Sequence, residues 1–80
     1  MSEIFRELDY VYIIDSVPGL LTKDFTKFIV PSGTEGTIVL VYGKEENPEA
    51  YEIEFFIEEH NCTALATVPA ALVMLKEKFV

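Results

Sequence analysis

The chain has 80 residues, half of them hydrophobic, and its 14 acidic against 6 basic side chains give a formal net charge of −8. That length suits one domain, residues 1–80, near the lower limit for burying its own core, and the charge repels phosphate backbones and anionic membranes at long range. The single cysteine, Cys62, excludes an intrachain disulfide, and no apolar segment approaches the roughly 20 residues of a membrane helix.

In chain order, Tyr10-Val11-Tyr12-Ile13-Ile14 is β-branched and aromatic and predicts a first strand, with the Pro18-Gly19 pair behind it as a turn. Leu21-Thr22-Lys23-Asp24 suits a short helical turn, and Phe28-Ile29-Val30 a short strand stopped by Pro31. Thr37 to Tyr42 forms the second long strand, and the polar stretch Gly43 to Pro48 reads as a longer hairpin loop. Tyr51 to Glu58 is the best-patterned segment. Tyr51, Ile53, Phe55 and Ile57 share one face at period two and are expected core, while Glu52, Glu54, Phe56 and Glu58 share the other. Glu59-His60-Asn61 makes a tight turn into Cys62 to Val68, which Pro69 ends. Ala70 to Lys78 suits either a helix or a short turn into a last strand around Val73 to Leu75, and composition does not separate them.

Five short strands at about ten-residue spacing predict an all-β fold, a small and strongly bent barrel. Gly33 and Gly36 in Gly33-Thr34-Glu35-Gly36 then have a mechanical task, because a chain turning into a curved strand needs positive φ or room for a crossing backbone. Thr37 to Tyr42 is apolar in both registers, as expected for a strand covered on both sides.

The run G-T-E-G-T-I-V-L-V-Y, then A-Y-E-I-E-F-F, then T-A-L-A-T-V resembles a family of small bacterial proteins, domain-of-unknown-function family 4926, over nearly the whole chain. The match includes the early apolar strand and the approach from Lys27 to Pro31. The resemblance implies an SH3-like barrel, and a protein that acts as an antitoxin or as an accessory partner of a neighbouring protein. It brings no catalytic residues with it. The chain departs from the family pattern in a longer acidic start and at Leu40, where members commonly carry a polar residue, which enlarges its apolar surface.

Sites of chemistry fare poorly. Gly33-x-x-Gly36 lacks the Gly-Lys-Ser/Thr of a phosphate loop and leads into a strand, where phosphate cradles lead into a helix. The same corner resembles the glycine turn of KOW-type modules, but their basic RNA-binding loops are missing. His60 and Cys62, one of each, fall short of a typical zinc site, and no orienting group or oxyanion donor accompanies them as nucleophile and base. Glu52, Glu54 and Glu58 would need a deep cleft to split their pKa values for glycoside hydrolysis, which a chain of this size does not offer. With Phe56 among them they suit a binding face instead, an aromatic anchor with a charged rim.

The expectation is therefore a non-enzymatic module without cofactor or metal, kept in the cytoplasm. It would bind a protein partner, basic and encoded nearby, or a second copy of itself, through Glu52, Glu54, Phe56 and Glu58, and would bind neither nucleic acid nor membrane. The competing expectation is a ligand- or metal-binding accessory domain of an enzyme system, centred on His60 and Cys62.

Overall fold

The computed structural model describes residues 4–44 and 46–77. They form an all-β structure: β1 (Tyr10–Ile13), β2 (Val17–Leu21), β3 (Lys27–Val30), β4 (Glu35–Lys44), β5 (Asn47–Ile57), β6 (Cys62–Pro69) and β7 (Val73–Glu77), with 3₁₀ turns at Glu58–His60 and Ala70–Leu72. All pairings are antiparallel, and the strands make one seven-stranded sheet in the order β3-β2-β6-β5-β4-β1-β7. Seven strands replace the expected five, and the sheet is a curled, open half-barrel with β3 and β7 as its two ends.

The inner side of the curl is the core. Tyr51, Ile53, Phe55 and Ile57 of β5 are buried, as their alternation predicts, against Ala64, Ala66 and Val68 of β6 and Ile38 of β4. Val11 and Ile13 of β1, Val17 and Leu21 of β2, Val30 of β3 and Val73 of β7 complete the cluster. Each such aliphatic or aromatic side chain removed from water contributes about 1.5–3 kcal/mol against the ordering entropy of the chain. The segment before β1 is pinned to the same core. The Phe5 N–H donates to the buried Tyr51 hydroxyl at 3.1 Å, and the two rings meet tilted, their centroids 5.7 Å apart.

The two glycines of the 33–36 corner act by different means. Gly33 has φ +86° in the turn closed by the Thr34 N–H on the Pro31 carbonyl, a conformation that L side chains resist. Gly36 is buried opposite Phe55, and a Cβ there would lie 2.7 Å from the Glu54 carbonyl oxygen and 2.8 Å from Phe55 Cδ1. The first supplies the bend, the second the close approach of β4 to β5.

Several boundaries differ from expectation for identifiable reasons. Pro18-Gly19 lies inside β2 rather than in a turn: Pro18 pairs with Ile29, and the ladder to β6 starts only at Leu20, so the missing N–H of Pro18 meets no partner strand on that side. Residues 22–24 make the helical turn, with the Phe25 N–H donating to the Leu21 carbonyl at 2.8 Å. The loop from Gly43 to Pro48 is mostly strand, since Gly43 pairs with Pro48 and Lys44 with Asn47. The undecided segment after Pro69 takes the second form, a 3₁₀ turn followed by β7; Lys78 lies outside the described residues. β4 is not covered on both sides. The register shifts between Ile38 and Leu40, and Val39 and Leu40 are exposed, because a bulge turns the apolar run outward.

Candidate partner-binding face

Alternation along β5 gives the outer side of the sheet what it withholds from the core. Glu52, Glu54 and Phe56 point outward between buried neighbours, and cross-strand register supplies their surroundings. Glu52 sits between Leu40 and Thr67, Glu54 between Thr37 and Leu65, and Phe56 beside Thr63. Phe56 is 57 % exposed, with nothing from the rest of the described chain laid over it.

Glu58 departs from this row. It opens the 3₁₀ turn after β5, so its side chain no longer follows the strand's alternation, and the face predicted from four residues retains three on the strand. The pattern of period two is real up to Ile57; Asn61, in the left-handed conformation at φ 49°, ends the turn that breaks it.

The carboxylate of Glu52 is held in place. Its Oε1 accepts hydrogen bonds from Thr67 Oγ1 at 2.6 Å and from the Tyr42 hydroxyl at 3.3 Å. Among the described residues the ion pair is Lys76 Nζ with Glu35 at 3.3 Å, and none of their cations pairs with Glu52 or Glu54. Adjacent outward positions on a strand lie about 7 Å apart, at which two carboxylates repel by roughly 0.6 kcal/mol in a water-like dielectric. A cation from outside would relieve that repulsion and gain two partners.

The apolar content of this side goes well beyond Phe56. Leu20, Ile29, Leu40, Tyr42, Tyr10 and Met74 are all exposed on the outer side of their strands or beside it, as is Phe25 in the β2–β3 turn. Leu40, 43 % exposed, adds to this apolar surface as expected. The Tyr10 hydroxyl lies close to Glu35, and its pKa is raised, first by desolvation and then by the hydrogen bond to that carboxylate. Sequence reading missed Leu20, Phe25 and Ile29, because a strand containing Pro-Gly hides its own alternation; the cue available was Leu20 and Ile29 flanking polar Lys23, Asp24 and Lys27.

His60 and Cys62 are not brought together as a site. His60 closes the 3₁₀ turn and meets the Phe28 ring edge-on at 5.4 Å, whereas Cys62 begins β6 beyond Asn61 and packs half-buried against the core. They do not share a strand face. Among the described residues no group of three or more His, Cys, Asp or Glu side chains could hold a metal ion, and no helix is long and apolar enough to cross a membrane.

The family model described as "Domain of unknown function (DUF4926)" matches residues 7–75, which takes in all seven strands apart from the last two residues of β7. No curated protein and no solved structure matches the chain.

Proposed function

Since the chain belongs to the DUF4926 family, we propose that it is a non-enzymatic protein-interaction module that binds a basic partner through the outer side of β5, in the manner of an antitoxin or immunity protein. The observation that carries this reading is Phe56, a large aromatic 57 % exposed on the same strand face as two outward carboxylates that no cation among the described residues pairs with. A buried aromatic anchor ringed by polar groups is where interface energy concentrates. The net charge of −8 raises the encounter rate with a basic protein and opposes association of two copies of this chain. The reducing cytoplasm suits a chain whose lone Cys62 stays an unpaired thiol.

The test is affinity capture from the source cell with the tagged chain and with the double variant Phe56→Ala/Glu54→Lys. The double variant is expected to melt close to the wild type and to lose the captured partner. Retention of the same partner by the double variant would remove this face from the interface. Light scattering on the purified chain, expected to report a monomer, checks whether a second copy occupies the face instead.

A further inference from the structure

Beside the β5 row, the outer side of the sheet carries a groove of about 600 Å³ running from β3 across β2 and β6 to β5. Its β3 end is apolar: Pro18, Leu20, Phe25 and Ile29 line it, with Phe25 74 % and Ile29 62 % exposed. Its β5 end is ionic, and the group there is Glu52, whose carboxylate the Thr67 and Tyr42 hydroxyls already orient. Lys27 also lines the groove, from β3. A cation therefore stands at one end and a fixed carboxylate at the other.

We propose that this groove binds an extended segment of a partner protein in which an aliphatic or aromatic side chain and a Lys or Arg stand two residues apart. The apolar side chain seats among Leu20, Phe25 and Ile29, and the cation reaches Glu52. The proposal rests on the reading of the outer side as an interaction surface and assigns that surface a ligand chemistry. Geometry sets the spacing. The apolar seat lies two to three strand separations from β5, about 10 Å from β2 and about 14 Å from β3, and residues two apart on an extended segment project to the same side about 7 Å apart, leaving the rest to the flexible arm of Lys or Arg. Charge sets which end the cation takes: Lys27 repels it from the β3 end, and Glu52 attracts it to the β5 end. Charge also disfavours a second copy as occupant, since each copy carries −8.

The test uses fluorescein-labelled nonapeptides of Gly and Ser carrying one Leu or Phe and, two residues before or after it, Arg; matched peptides replace the Arg by Ser or by Glu, or the apolar residue by Ser. Fluorescence anisotropy is expected to show binding of the apolar-plus-Arg peptides, about fivefold weaker binding when Arg becomes Ser, and a loss of that preference at high salt. Glu52→Gln is expected to abolish the preference for Arg over Ser. Ile29→Ser weakens all peptides about tenfold. Phe56→Ala leaves them unchanged. Circular dichroism melts verify folding, and Thr67→Val, which keeps the charge but removes a hydroxyl that orients it, provides a second reading by reducing the Arg preference. Absence of binding by every peptide, equal binding of the Arg and Ser peptides, or an Ile29-dependent dimer in sedimentation velocity overturns the proposal. If no peptide binds while the wild-type chain still captures a partner that Phe56→Ala/Glu54→Lys loses, the groove proposal falls and the broader reading stands. Failure of that capture experiment with peptide binding intact does the reverse.

Discussion

Gly36→Ala is the sharpest test of how the corner before β4 is built. The added methyl would sit 2.7 Å from the Glu54 carbonyl oxygen, 2.7 Å from Ile53 Cγ2 and 2.8 Å from Phe55 Cδ1, with Gly36 itself buried. Overpacking of a core ordinarily costs about 1–3 kcal/mol. Here the upper end applies, about 3 kcal/mol, because one clashing atom is backbone on the paired strand and moves only if β4 and β5 separate. At roughly 4–8 °C per kcal/mol for a domain of this size, the melting temperature should fall by roughly 12–24 °C. Gly33→Ala meets no atom within 4 Å but must hold φ +86°, so it costs about 1–2 kcal/mol of backbone strain alone. The two sites are then separable by rescue. Phe55→Leu, which withdraws one clashing atom, should recover part of the Gly36→Ala loss, and Gly33→Asn should be milder than Gly33→Ala, since Asn tolerates the left-handed region. Urea and thermal denaturation of the variants measure this. A Gly36→Ala protein more stable than Gly33→Ala would refute the assignment of close approach to Gly36.

Tyr51→Phe leaves the Phe5 N–H buried without its 3.1 Å acceptor and should cost about 1–3 kcal/mol, with faster hydrogen exchange at the Phe5 amide as the local signature. The Asp24 carboxyl is held below its ordinary pKa by hydrogen bonds from the Thr26 side chain and backbone. Because the folded-state value lies below the unfolded one, this contribution is fully present above the ordinary carboxylate range and is lost as pH falls through the lowered value. Asp24→Asn should therefore flatten the acid limb of the stability curve there, as read from melts at a series of pH values. Phe56→Ala/Glu54→Lys alters only exposed side chains and should stay within about 0.5 kcal/mol of wild type in urea denaturation, so that any lost association is attributable to the surface.

The fold was legible wherever one face of a strand is buried and the other wet. β5 shows this plainly: Tyr51, Ile53, Phe55 and Ile57 declare the core, and Glu52, Glu54 and Phe56 the outer face. β4 does not, because its apolar residues continue past the bulge at Ile38–Leu40 to the outside, and no local pattern distinguishes an exposed Val39 from a buried one. β2 was hidden by Pro18 and Gly19, whose ordinary meaning is a turn; only the tertiary position of β2, paired with β6 from Leu20 onward, makes them acceptable in a strand. The groove went unseen for the same reason, since its apolar end is built from β2, β3 and the turn between them. Alternation places Glu58 in the row because it carries no information about where a strand stops, and β5 stops at Ile57.

The placement of β1 has a consequence for biosynthesis. It lies between β4 and β7, so it gains its second neighbour only when the strand farthest from it in this sheet's sequence order is available. The β2–β3, β4–β5 and β5–β6 hairpins can form as soon as their turns emerge, whereas β1 must wait for residues 73–77. Closure of that distant pairing spans the longest stretch of chain of any strand pair in the sheet and carries the largest loop entropy. Until it occurs, the edge of β1 that β7 covers stays unpaired, an open strand edge of the kind that favours association between chains.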